Sequence, residues 1–573
     1  MARHAFKSNT AELKLWLSKR KSSLENARRP MESIWRDIRL YFEPNLGKAL
    51  LEGDPDVVAA QRDDEKIVNT APRILLHRMN AGLQSGITNQ SRQWFQLRTI
   101  DKKLSEKSAV RKWLDDVTEV INGLMVRSNF YPALDQIYLQ LGLGTAAALV
   151  LQDDENGIHV RNIDAGAYWI AADRRGRVNV LLERISMTAD QLVAEFGEGW
   201  VPDLVNQRIK DGKGEERFET FHYVGPHNAD LIPDIVATRP YVSIYWIEGT
   251  ASNDSNDGIL AIRSFGYNPI VAPRWLVFGS VYGIGCCHIG LADAKQLQQL
   301  EADKLRIVEL EVDPPMAAPS SMKGIPIDTG AGGISYYPDT IGKGVPVQRL
   351  FETRQSIEAV ELAIQGTENR LKQTFFSDLF AMMINLNMQP KQMTAREVNE
   401  LSGEKVALLG PILTRLNNDL LNPIVDAVFA IAIDLGLVPE APPILQGQEL
   451  RVEYVSSLHV DQAATSRLSG LYRILEFAGG IANFNPAIVD KLDTDEMIDI
   501  AARALVESGV VRDDKDVEAM RSARAEEQRK AMQAEQQARI VPAMAKAGRD
   551  LAATPVGEGN ALEAALSAQG GPQ

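Results

Sequence analysis

LADAKQLQQLEADKLRIVEL, residues 291–310, sets Leu291, Ala294, Leu297, Leu300, Lys304, Ile307 and Val308 on one helical stripe, with the three-and-four spacing of an amphipathic helix. The segment stops at Asp313-Pro314-Pro315, because proline removes a backbone donor and biases the residue before it away from helix. A second segment, from Gln355 to Phe376, repeats the pattern with Ile357, Val360, Ile364, Leu371 and Phe375. Each helix is expected to be roughly 30 Å long at about 1.5 Å per residue. Between them lies PPMAAPSSMKGIPIDTGAGGISYYPDTIGKGVPVQ, residues 314–348, too rich in Pro and Gly for helix and long enough for a small β-type lobe. The expected geometry is a stalk of two helices carrying a tip, with the rest of the chain as scaffold. Neither stripe looks sufficient for the core of a single chain.

Length and composition bound the rest. A chain of 573 residues, 45% hydrophobic, exceeds one ordinary domain. Its best candidate for a membrane span, PIVDAVFAIAIDLGLVP, contains Asp426 and Asp434, which argues against insertion. The N-terminus has basic residues but no apolar core followed by a small-residue cleavage site, so it does not read as a secretion signal. The two cysteines are adjacent, Cys286 and Cys287, and suit a reducing compartment. The net charge of −14 counts against a protein that grips nucleic acid through Lys and Arg. It does not count against one that lets nucleic acid pass.

Taken in order, residues 1–50 read as helices with Leu15, Leu17, Leu24, Ile34, Trp35 and Ile38 apolar and Pro30 as a break. They carry 11 basic against 5 acidic residues, a net +6, which reads as a solvated face. Asn69–Thr88 is helical and runs into SRQWFQLRT, a strand with Trp94 and Phe95 on opposite faces; Lys107–Tyr138 is helical again. From residue 145 the period changes: TAAALVLQ with GIHVRNI, and YWIAA with VNVLLERIS, read as two hairpins. Thr188 and Gln191 offer a capping box, and RFETFHYVG and YVSIYWIEG follow as strands. This part is a mixed α+β body.

In MTAREVNE, Thr394 is a suitable N-cap, Glu397 closes a capping box, and Met393 with Val398 forms the hydrophobic staple. The helix continues through Leu401, Leu408, Leu409, Ile412 and Leu416, with bends expected at Gly410-Pro411 and near Pro423. After Gln462 the chain is helical. Its last helix is rich in Ala, Glu, Gln and Arg, so it is either bathed in solvent or paired in an oligomer. Thr554–Gln573 is small and polar, a composition expected to be disordered.

The order of these motifs resembles the portal, or head-to-tail connecting, proteins of short-tailed bacteriophages. The resemblance runs through NAGLQSGITNQSRQWFQL, GYNPIVAPRW, YGIG, VDPPMAAPS, GAGGISYYP, FFSDLF, MTAREVNE, LLGPILTRLNNDLL and LRVEYVSSLHVDQ, covering residues 70 to 525. One departure is Cys286, where a proline is expected after YGIG; it leaves the start of the first stem helix open.

The resemblance implies an α+β, mainly helical portal fold with wing, two-helix stem, clip and crown, assembled as a dodecameric ring. It assigns 1–290 to an N-terminal region and wing, 291–312 and 353–376 to the stem helices, and 313–352 to the clip. It assigns 377–393 to a tunnel loop, 394–462 to a long wing helix and returning strand, 463–525 to the crown and 526–573 to the tail. The stem would pack through Leu297, Leu300, Ile307, Ile357, Val360, Ile364 and Leu371, and the clip would dock partners through Pro314, Pro315, Lys323, Tyr336 and Tyr337. Met382, Met383, Asn385, Asn387, Met388, Gln389 and Lys391 would face a DNA channel, Lys391 being the loop's only cation. Thioether and amide side chains there touch DNA without trapping its phosphates. Composition alone makes the same segment a hydrophobic loop packed on its own subunit.

Implied partners are further copies of the chain, the terminase large subunit as packaging ATPase, the major capsid and scaffolding proteins, a tail adaptor, and double-stranded DNA in transit. The implied place is the portal vertex of the virion, after assembly in the host cytoplasm.

No enzyme chemistry competes with this reading. Gly342-Lys343-Gly344 lacks the earlier glycine and the following Ser or Thr of a phosphate-binding loop, so the packaging motor is expected on a separate chain. His222 and His227 are the only histidines near metal-ligand spacing, and they fall in a strand and a turn. Cys286, Cys287 and His288 read as buried structure rather than a reactive thiol. No cofactor is expected. The alternative class is a non-enzymatic oligomeric scaffold or a membrane-surface assembly protein using the same amphipathic helices.

Overall fold

A computed structural model describes residues 10–51, 64–101, 107–232, 239–248, 258–313, 357–384, 409–445, 450–454 and 520–532, with a few shorter pieces. The chain divides into two compact units, Met1–Thr465 and Ser466–Gln573. In the second unit, a helix over 520–532 is exposed at every position. A short antiparallel pair joins Pro555–Val556 to Gly559–Asn560, within the tail expected to be disordered. Most of the crown segment, and the Thr394–Glu397 cap, lie outside the described residues.

The first unit is a mixed helix-and-sheet body. Strands β2 (Ala147–Asp153) and β3 (Gly157–Ile163) form the first expected hairpin, with short β9 (Ile270–Val271) on the far edge of β2. β4 (Tyr168–Ala172) and β5 (Val178–Thr188) form the second, extended by β6 (Arg217–Pro226), β7 (Tyr241–Ile247) and β8 (Ile259–Phe265) into a five-stranded antiparallel sheet. Period-two alternation divides its residues between two cores. Val242, Ile244 and Trp246 join one with Leu182 and Phe221, while Tyr245 and Ile247 join the other with Leu192, Phe196 and Val205. The second core is closed by helices α5 (Ala189–Phe196) and α6 (Asp203–Lys210). The capping box starts α5 as expected: Thr188 Oγ1 accepts from Gln191 N at 3.2 Å, and Gln191 Oε1 accepts from Thr188 N at 3.0 Å.

Helix α1 (Thr10–Tyr41) corrects one expectation, since it is a single helix through Pro30. Proline costs an interior helix a hydrogen bond and a steric clash, but tertiary contacts override that cost here. Leu13, Leu17 and Leu24 bury against the five-stranded sheet, and Met31, Trp35, Ile38 and Phe42 bury in the main core. Between these groups the Arg28 guanidinium donates to the carbonyls of Gly166 and Tyr168, each at 2.7 Å, and lies over the Trp169 ring. Leu15, expected on the buried face, is 56% exposed.

The main core gathers α2 (Ala71–Ile87), α3 (Ser108–Arg127), α4 (Phe130–Gln140) and the long helix Leu409–Asp434, with β1 (Phe95–Thr99) paired antiparallel to the strand Leu450–Tyr454. Trp94 and Phe95 are both buried in this core, their ring centroids 4.6 Å apart, with Phe130 and Tyr454 stacked near Trp94. Leu409–Asp434 is long and apolar enough to cross a membrane by length and composition. Within this unit Leu420, Leu421, Ile424, Val425, Val428 and Ile431 are buried in the main core.

At the centre, two backbone segments cross with almost no space between them. A Cβ on Gly283 would lie 2.2 Å from Gly144 O, and one on Gly285 would lie 2.2 Å from Gly142 O. Both contacts are to backbone, so a side chain cannot be accommodated by a rotamer change. Around the crossing, Trp275 N donates to Gly144 O at 2.9 Å, Gly283 N donates to Thr145 Oγ1 at 2.8 Å, and Tyr282 Oη accepts from Ile170 N at 3.1 Å. GYNPIVAPRW and YGIG are thus the two sides of a clamp on LGLGT. Gly283→Ala is expected to cost about 3 kcal/mol or more by overpacking, read as loss of soluble protein or a lower midpoint in denaturant. Gly199→Ala is the control, because nothing lies within 4 Å of the added Cβ.

Candidate functional site

The clamp delivers the chain directly to the stalk. After Gly285 a single turn, Cys286–Ile289, leads through Gly290 into helix α7 (Leu291–Val312). This settles the helix start that Cys286 left open. Cys286 and Cys287 are buried free thiols, and burial pushes both far above the usual thiol range, so they pack as small apolar groups.

Helix α8 (Ile357–Thr374) runs antiparallel to α7. Arg370 Nε meets Asp293 Oδ1 at 2.8 Å near the body, and Lys304 Nζ meets Glu361 Oε2 at 2.8 Å further out. Pairs this exposed contribute little energy, yet they fix the register of the two helices.

Burial along the stalk is graded. At its base Ala294, Leu297, Ile364, Leu371 and Phe375 are buried in the main core, and Leu300 and Val360 pack against it. Ile307 is buried and Ile357 half-buried. The base therefore closes within one chain, a correction to the expectation that both stripes need a second copy. Polar contacts also hold it: Gln298 Oε1 accepts from Val68 N and Asn69 N, each at 2.8 Å, and Asn69 Nδ2 donates to Glu301 and Glu368 at 2.9 and 3.2 Å. Glu368 and Arg370 are thus engaged within the chain. Further out a different stripe stands free. Leu305, Val308 and Val312 are 54%, 40% and 80% exposed and Leu362 is 71% exposed; Val308 leaves the buried stripe the sequence assigned it.

The chain turns sharply after α8. Phe376 has φ 51°, a left-handed conformation that costs a non-glycine residue energy, and tight packing on both sides maintains it. Phe375 lies 5.7 Å from Phe42, Phe376 lies 6.5 Å from Trp275, and Arg78 donates to Ser377 Oγ at 3.0 Å. Phe380 sits directly on Gly82, whose added Cβ would lie 2.3 Å from the ring. FFSDLF and NAGLQSG are thereby one contact. The expected loop 377–393 begins as helix α9 (Ser377–Ile384), so Met382 and Met383 fall in a helix rather than a loop. Asn385, Asn387, Met388, Gln389 and Lys391 lie outside the described residues, as do Pro314, Pro315, Tyr336 and Tyr337. Lys323 is exposed. The tip closes at its base with Met316–Ala317 paired antiparallel to Gln348–Arg349, in keeping with a β-type lobe.

Two titratable clusters lie elsewhere. Glu43 is buried, yet hydrogen bonds from His77 at 2.9 Å and Arg73 at 2.8 and 2.9 Å outweigh the burial and hold its carboxyl below the usual range. In the five-stranded sheet Ser243 Oγ, His222 and Glu183 line up, with 2.8 Å from Ser243 to His222 Nε2 and 3.3 Å from His222 Nδ1 to Glu183 Oε2. The geometry suggests a proton relay, but Ser243 is 1% exposed and no substrate reaches it. Arg161, bonded to the same carboxylate, makes the cluster a buried tie between the two sheets. His227 bonds the Ile232 carbonyl instead. Among the described residues no group of three His, Cys, Asp or Glu side chains could hold a metal ion.

Fold and stalk together define a mixed helix-and-sheet body carrying an antiparallel helical hairpin. Residues 16–507 match the family of bacteriophage head to tail connecting proteins, and the chain belongs to that family. The portal protein of Salmonella phage epsilon15 is 32% identical over 562 residues, 97% of this chain and 98% of the relative. The probable portal protein of Bordetella phage BPP-1 is 32% identical over 530 residues, 91% and 93% of the two chains. Among solved structures, a chain of a native gene transfer agent virion aligns over 76% of this chain and 91% of its own, at 11% identity and TM-score 0.34.

Burial holds His222 neutral and lowers its pKa to about 4, despite the partner Glu183. An unfolded histidine titrates near 6.5, so stability is full above that pH and is lost as pH falls from about 6.5 to about 4, by up to about 3 kcal/mol. Thermal melting between pH 7 and pH 4 should show this loss, and His222→Gln should flatten the pH slope while lowering stability at pH 7.

Proposed function

We propose that the chain assembles as a dodecameric ring at one vertex of a phage capsid, with the stem lining a conduit for DNA during packaging and ejection. The outer stripe of Leu305, Val308, Val312 and Leu362 carries this reading. A helical hairpin whose base is closed by its own chain and whose outer half exposes four large apolar residues is suited to burying them against the next copy. The net charge of −14 per copy favours passage of DNA over retention.

In this reading the segment 313–352 is the clip, meeting the packaging ATPase and afterwards the tail adaptor through Pro314, Pro315, Lys323, Tyr336 and Tyr337. The body is the wing, seated among capsid and scaffolding proteins. Met382, Met383, Asn385, Asn387, Met388, Gln389 and Lys391 belong to the channel segment, which α9 begins. Thr394 and Glu397 start the helix that returns to the body. Assembly takes place in the host cytoplasm, and the chain enters no membrane.

Electron microscopy of the purified chain is expected to show rings, and a monomer under all assembly conditions would overturn the reading. Leu362→Ser with Val312→Ser should change subunit stability by less than about 0.5 kcal/mol, because both positions are exposed, yet abolish the rings. Leu371→Ala should cost about 3 kcal/mol within the subunit, whether assembled or not. Deleting Met382–Gln389 should leave rings intact and impair DNA packaging or retention; loss of the rings would make that segment structural.

A further inference from the structure

Helix α10 (Leu409–Asp434) changes register in its middle. It is α-helical over 409–416, a π turn over Asn417–Leu421, and α-helical again over Asn422–Asp434. A mid-helix π turn has an identifiable cause, and three independent observations converge on one.

The first is the phase of burial. Leu409, Ile412, Leu413 and Leu416 are buried in the first half, and Leu420, Leu421, Ile424, Val425, Ala427, Val428, Ile431 and Ala432 in the second. On a regular helix at about 100° per residue the second stripe would stand about 90° round from the first. One surplus residue turns it back by nearly that angle, so both stripes meet the same core. The second observation is Pro423, in the first turn after the π segment. In a regular helix its ring would meet the carbonyl four residues earlier, that of Asp419, which lies in the π turn. The third is Arg274, a 2% exposed arginine whose Nη2 and Nε lie 2.9 and 3.0 Å from Asp419 Oδ2. The same guanidinium donates to Gly176 O at 2.7 Å and to Val281 O at 3.4 Å.

We propose that residues 417–421 are a phase corrector: one surplus residue, held as a π turn by Pro423 and latched by the buried Arg274–Asp419 pair, which sets the azimuth at which residues 409–416 meet the core. Arg274 is a positioning residue in this device. It ties the helix to the β4–β5 turn and to the segment that leads into the stalk, so the three elements share one anchor. The inference stands on the described helix and does not require the ring.

Hydrogen exchange on the full-length chain tests it. In a Pro423→Ala background, deleting the exposed Asn418 removes the surplus residue and should leave exchange across 409–416 within about threefold of the background. Inserting one alanine after Asn418 doubles the error and should speed exchange there by about tenfold or more. Asp419→Asn in the wild-type chain should speed exchange over 409–421 by about tenfold while leaving 424–432 unchanged. The proposal is overturned if the deletion disturbs the helix as much as the insertion does, or if Asp419→Asn affects both halves equally.

Discussion

Two backbone segments crossing without side chains between them is the constraint on which the rest of the first unit depends. Gly142 and Gly144 end the helical layer and begin β2, while Gly283 and Gly285 end the loop from β9 and begin the run into the stalk. Close approach aligns donors and acceptors that would otherwise be buried without partners, and a buried unpaired amide costs about 1–3 kcal/mol. The direction in which α7 leaves the body is therefore set by backbone contact in the deepest part of the core. The stalk base inherits rigidity from it through Leu297, Leu371 and Phe375, all buried.

Much of this architecture was legible in the sequence. Period-two alternation located both hairpins and the strands after them, the Thr188–Gln191 spacing gave a capping box that forms with both reciprocal bonds, and period-3.6 stripes gave both stalk helices. What escaped was tertiary. Pro30 reads locally as a break, and only the distant carbonyls of Gly166 and Tyr168 beneath Arg28 show why the helix continues. Val308 fits the buried stripe by spacing, but α8 covers only one side of α7 at that height.

The site was less legible than the fold. A stripe in sequence says that a face is covered and not by what, so a base closed within the chain and an outer half left apolar looked alike. Gly82 and Phe380 are almost 300 positions apart, and their contact was visible only as two motifs in a resemblance. The Ser243–His222–Glu183 alignment had no sequence signal, because its members come from three neighbouring strands, with Glu183 directly opposite His222 and Ser243 two residues along from Tyr245, the other partner of His222. The cues to the π turn were the quarter-turn slip of the apolar stripe across Asn417–Leu421 and Pro423 just beyond it.

Helix α1 has a mechanical consequence. Its first half is bonded to the five-stranded sheet and its second half to the main core, and Lys295 of the stalk base reaches Asp37 near its end at 2.6 Å. A displacement of the sheet is thus transmitted along the helix axis as push or pull, the direction in which a hydrogen-bonded helix is stiffest. Beside the Arg274 anchor, α1 joins the sheet and the foot of the stalk as a rod joins two plates, with Arg28 as the collar that keeps the rod from sliding.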